Sequence, residues 1–189
     1  MAAIAVAGVG LMVVCSSSLA AAMMMGGEEK EDPIVPKTPV VPVVPTLPSG
    51  QYVKLVQTSL TDVINLAELE VFAKAGTTNL AAGKTVTSSA FHSVGPGSYL
   101  VDGVITGYNF AHTMNEVADT EDSMLIDLGS VQEIEKIKIT NRTDCCTERA
   151  IGIKVVILGA DGTTVIKETT AITTDAATYT FTFPGTAWV

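Results

Sequence analysis

The first 25 residues carry no charged side chain, and only glycines and Ser16–Ser18 interrupt the apolar run from Met1 to Met25. About 20 apolar residues span a bilayer as a helix, and serines are tolerated because each hydroxyl can bond a carbonyl one turn back. The pattern predicts an uncleaved transmembrane anchor over residues 1–25. The competing reading is a signal peptide whose small-residue cleavage site is Ala20–Ala22. The length of the run, and the lack of Lys or Arg before it, favour the anchor. Residues 33–48 then hold six of the eight prolines. Such a segment builds neither helix nor ladder, and as polyproline II it would extend up to about 50 Å. The acidic and Pro-rich stretch 26–49 therefore reads as a stalk.

From Gly50 onward the periodicity changes to short β-type runs, placing one domain over residues 50–189. Tyr52–Thr58 and Ile64–Phe72 come first; in the second, strict alternation sets Leu66, Glu68 and Glu70 against Ala67, Leu69 and Val71. Further strands are expected at Met124–Leu128, Ile134–Thr140, Lys154–Leu158, Thr163–Glu168 and Thr178–Phe183. Asp161-Gly162 marks a hairpin between the third and fourth of these. Ile137 and Ile139 alternate with Lys136, Lys138 and Thr140, and Tyr179, Phe181 and Phe183 alternate with threonines. No window after the anchor sustains helical periodicity. Many short strands in about 140 residues imply an all-β fold, an antiparallel, jelly-roll-like β-sandwich.

Charge narrows the partners. The 189-residue chain carries a formal charge of −9, and after Pro48 nine basic against sixteen acidic residues leave −7 on the domain. Nucleic acid and anionic lipid surfaces both call for a concentrated basic face, so they are poor partners. Glu28–Asp32 flanks the apolar run with net negative charge, which is disfavoured on the positive-inside face and places the domain on the non-cytoplasmic side. Two histidines and three cysteines exclude four-ligand zinc sites at motif spacing and disulfide-rich frameworks. No nucleophile elbow, paired-carboxylate cleft or histidine beside a nucleophile appears, so no enzyme is expected.

The densest polar stretch is Asn141–Arg149, NRTDCCTER, between two predicted strands. Arg142, Asp144 and Arg149 there suit a polar neutral ligand, since each guanidinium offers forked donors and the carboxylate can orient them. The alternative is an Arg–Asp cluster that pins a loop. Adjacent Cys145 and Cys146 can form a small strained ring with a distorted or cis peptide, remain free thiols, or hold a metal. Cys15 lies in the anchor, away from both. His112, in Asn109–Thr113, stands alone, and a lone histidine is more often structural than a ligand contact. Asn141-Arg142-Thr143 is also a glycosylation sequon, and a glycan there would crowd any site.

Residues 76–162 resemble the F-type lectins (fucolectins), a branch of the galactose-binding, discoidin-like β-sandwiches. The resemblance rests on GTTNLAAGKTVTSSA (76–90), VDG (101–103), HT (112–113), IDLGSVQEIEKIKI (126–139) and NRTDCCTER. It implies that His112, Arg142 and Arg149 bond sugar hydroxyls and the ring oxygen, and that Asp144 holds an arginine. It also implies a Cys145–Cys146 disulfide against the apolar edge of the sugar, a role that suits the methyl group of fucose. Calcium is the implied cofactor, with Glu68 and Asn109 as ligands. INLAELEVF (64–72) resembles the family's last strand moved to the front. Two departures stand out: acidic residues Glu116–Asp122 lengthen the gap between His112 and Arg142, and Val104-Ile105-Thr106-Gly107 occupies the loop where calcium-binding members carry Asn and Asp. A hard cation takes about six to eight oxygens, so backbone carbonyls would have to contribute.

The apolar N-terminus with CSSSLAAAMMMGG also resembles membrane-associated virion proteins of large DNA viruses. The expectation is therefore a membrane-anchored lectin for fucose or a related sugar on glycans, non-enzymatic, with self-association or several copies supplying avidity. The alternative is a structural virion or minor capsid protein that uses the sandwich as an assembly module contacting capsid partners.

Overall fold

The computed structural model describes residues 46–88, 90–114 and 121–189. The predicted anchor, Cys15, most of the stalk, and Glu116 and Asp119 lie outside the described residues. Among those described, no helix is long and apolar enough to cross a membrane.

Among the described residues eight strands run in order β1 (Ser49–Gln57), β2 (Asn65–Ala73), β3 (Thr85–Ser88), β4 (Ala111–His112), β5 (Ser123–Asn141), β6 (Ile153–Leu158), β7 (Val165–Glu168) and β8 (Thr178–Thr182). Two 3₁₀ turns, η1 (Gly97–Val101) and η2 (Thr147–Ala150), precede β4 and β6. All pairings are antiparallel. β5 is shared by two layers: its first half pairs with β1 and β3, its second half with β2 and β8. One hydrogen-bonded sheet thus curls on itself into a sandwich. The two strands expected at Met124–Leu128 and Ile134–Thr140 are halves of this one strand. Between them Gly129, at φ +88°, lets the chain turn the corner while its N–H donates to Asp127 Oδ1 at 2.7 Å.

The layers enclose one core, in which Leu55, Ile126, Ile139, Ile153 and Phe181 are wholly buried. Alternation held for Ile137 and Ile139, and for Tyr179, Phe181 and Phe183, all of which face this core. It failed in β2. Leu66, Leu69 and Val71 all belong to the core, because a register shift between Leu66 and Glu68 against β5 resets the face. A bulge of this kind inserts one extra residue and breaks strict period-two counting. The Asp161-Gly162 hairpin is present, with Gly162 at φ +68° and Asp161 accepting from Thr163 N and Thr164 N. β3 and β4 were not expected: both are very short, and β4 has only two residues.

Candidate functional site

At one end of the second layer, three strand ends lie side by side. Asn65 opens β2 and pairs with His112 of β4, while Leu66 pairs with Asn141 at the end of β5. The chain leaving β5 is held by the Asn141 amide, which donates to Thr147 O at 2.9 Å and Ala176 O at 3.1 Å. Asn141 is wholly buried, and its Oδ1 accepts from Arg142 N at 3.0 Å. The sequon's amide nitrogen is therefore fully engaged in the folded chain.

Arg142 is only 7% exposed. Its Nε and Nη2 donate to the two oxygens of Asp144 at 2.7 and 2.6 Å, a forked pair. Its guanidinium carbon lies 3.8 Å from the Phe110 ring centre, a cation–π stack. The Arg142 bond holds the Asp144 carboxyl down at about 2. Arg149 arrives from η2. Cys146, at φ +59°, precedes that turn in the left-handed region, and its carbonyl accepts from Arg149 N at 3.3 Å. Cys145 and Cys146 are disulfide-bonded, with Cα atoms 3.8 Å apart. That spacing belongs to a trans peptide, and Phe183-Pro184 is the cis bond among the described residues. The link is thus not the cis peptide that was one of the expectations, and Cys146 is left-handed.

His112 is half-buried. Its Nδ1 lies 2.5 Å from Thr113 O, an acceptor only, so the ring proton sits on Nδ1 and Nε2 keeps a lone pair. Burial lowers its pKa below 6.5; the Thr113 bond opposes this, while His92, Arg149 and Arg142 reinforce it. The neutral ring presents an acceptor beside two arginines. Asn65 completes the group: with its carboxamide oxygen turned to the guanidiniums, it accepts from Arg142 Nη1 at 3.0 Å and Arg149 Nη1 at 3.2 Å. His112, Arg142, Asp144, Cys145, Cys146 and Arg149 are thus brought to one end of the sandwich, two guanidiniums meeting at one amide.

Three contributors escaped sequence reasoning. They are Asn65, His92, whose ring lies 5.1 Å from that of His112, and Gln57, whose buried amide donates to Arg149 O and Ile151 O at 2.9 and 3.1 Å. Asn65 stands in INLAELEVF, read above only as a strand, and Gln57 and His92 stand in no motif; a polar residue inside an apolar strand is the one signal that marked Asn65 and Gln57.

Glu68 and Asn109 flank a second polar cluster around Asp102. Gly103 N donates to Glu68 Oε2 at 3.0 Å, and Asn109 Nδ2 donates to both Asp102 oxygens at 3.2 and 2.9 Å. Glu68 Oε1 and Asn109 Oδ1 are buried and meet no protein donor. Burial lifts Glu68 to about 7; the Gly103 bond opposes this and Asp102 adds to it. Two orphaned oxygens fit a hard cation. Among the described residues, however, no three Asp, Glu, His or Cys side chains stand close enough to hold a metal by themselves, so loop carbonyls would have to complete the shell.

A groove of about 640 Å³ crosses the outer face of the first layer, lined by Lys54, Val56, Val156 and Leu158 among others. Its Lys154 is paired with Glu168 at 3.2 Å, and it shows no comparable meeting of donors.

Residues 99–188 match the family model described as NedA-like, galactose-binding domain, of the F5/F8 type C group. No curated protein and no solved structure matches the chain. The family match supports the galactose-binding, discoidin-like class of sandwich, as does the curled antiparallel sheet.

Proposed function

We propose that this protein binds carbohydrate without catalysis, preferring fucose or a closely related sugar, at the end of the sandwich formed by His112, Arg142 and Arg149. The observation that carries the reading is the meeting of both guanidiniums at Asn65 beside the free Nε2 of His112. A sugar hydroxyl both donates and accepts. Two arginines supply donors to its oxygen, and Nε2 of the neutral imidazole accepts a hydrogen bond from its O–H. The half-buried Cys146 and exposed Cys145 offer an apolar edge on which a C6 methyl can lie, with burial worth about 0.8 kcal/mol per CH₂-sized group. The family match adds support for glycan binding in general.

Calcium is proposed as the accompanying ion, with Glu68, Asn109 and loop carbonyls as ligands; bound there, it would neutralise the Glu68 carboxylate and fix the loop that leads to Phe110 and His112. The apolar N-terminus is proposed as a membrane tether that displays the domain on the non-cytoplasmic side, in a setting such as a virion membrane, where several copies would supply avidity.

The test is a glycan array probed with the full chain, with and without reductant and calcium chelator. Fucosylated glycans should be retained, and Arg142→Ala or Arg149→Ala should abolish the signal. Silence from the folded wild-type chain would sink the sugar reading and leave the sandwich as an assembly module.

A further inference from the structure

We infer that Asn65 is the positioning residue that aims both arginines, an inference that rests on the carbohydrate reading above. Asn65 lies in β2, outside the matched span 99–188. Its side chain is wholly buried, and its backbone is in register with His112. Its carboxamide oxygen takes one N–H from each guanidinium. Arg142 has committed two further donors to Asp144, leaving two of its five N–H groups; Arg149 keeps four. Among the described residues no carboxylate pairs with Arg149, so Asn65 is the side chain that fixes its direction. A neutral acceptor does this without quenching the positive charge that a ligand oxygen meets. One residue thus joins the acceptor on β4, the buried arginine after β5 and the arginine on η2 into a single hydrogen-bonding face.

The test uses the full chain, ¹⁵N-labelled at arginine, with Asn65→Leu (similar size, no acceptor) and Asn65→Asp (acceptor retained). In the wild type, slow guanidinium rotation should resolve the Nη signals of Arg142 and Arg149. Asn65→Leu should merge those of Arg149 and weaken glycan binding about tenfold or more, as expected for losing a hydrogen bond to a charged group, while Asn65→Asp should keep resolved signals. Unchanged Arg149 signals, or unchanged affinity, in a folded Asn65→Leu chain would overturn the inference. If Asn65→Leu does not fold, Asn65→Asp decides: resolved signals uphold the inference and merged ones overturn it. A wild type that binds no glycan but loses its Arg149 signals in Asn65→Leu would refute the sugar reading and uphold the positioning role.

Discussion

Arg142 has little freedom left: its fork is closed by Asp144, its face lies on Phe110, and its remaining edge is shared with Asn65. A buried guanidinium is tolerable only when so surrounded. His112 is the adjustable group. Because burial lowers its pKa, the folded ring stays neutral at pH values where the unfolded chain begins to take up a proton, and so contributes stability that is present above pH 6.5 and lost as the pH falls through the folded pKa. Protonation also converts Nε2 from acceptor to donor beside two cations. Glycan affinity measured by calorimetry should therefore hold from pH 8 to 6.5 and fall at lower pH, and His112→Gln should flatten that profile. A profile equally steep in the variant would assign the titration to another group. Glu68 has the opposite sign. Its pKa of about 7 means that stability is greatest below pH 4.5 and declines as the pH rises through 7. A cation must displace that proton, so calcium affinity should rise about tenfold per pH unit below 7 and level off above it. Affinity independent of pH, or a Glu68→Gln chain that binds calcium as well as the wild type, would remove Glu68 from the proposed ligands.

At the scale of elements, the site depends on two short pieces that have little intrinsic stability. β4 has two residues, and it is kept in place by His112 N donating to Gly95 O and His92 N donating to His112 O. A Cβ at Gly95 would stand 2.5 Å from His112 Cβ and 3.0 Å from Phe110 O, with backbone on both sides and no room to yield. Gly95→Ala should destabilise the domain by about 1–3 kcal/mol in urea titration and weaken glycan binding by displacing both His112 and the Phe110 platform. A variant with wild-type midpoint and affinity would show that β4 is not the support described. η2 is the other piece, begun by the left-handed Cys146 and held at its far end by Gln57. Arg142 and Asp144 could be read as partners from their i, i+2 spacing at a strand end. Arg149 could not be given a direction, because its aim comes from Asn65 and Gln57 on strands remote in sequence.

For the whole molecule, the shared strand β5 ties both layers into one core, so a defect anywhere in that core should be felt globally. Phe181 is 1% exposed and meets Phe183 and Trp188 at ring-centre distances of 4.9 and 5.3 Å. Phe181→Ala should cost about 3–5 kcal/mol, as large-to-small core changes do, in a single cooperative transition. A loss below about 1 kcal/mol would mean that the two layers do not share a core. The chain's alternation of apolar and polar residues, its turn residues and its charge were enough to determine an all-β domain, several of its strands, and NRTDCCTER as its densest polar loop, since those properties are local and carry a period. The remainder was settled only in three dimensions. The bulge in β2, the merging of two predicted strands into β5, the burial of the Asn141 sequon and the convergence of Asn65, His112, Arg142 and Arg149 depend on which strands become neighbours. Registry between distant segments follows from how the two layers close over their shared core, and no local pattern encodes it.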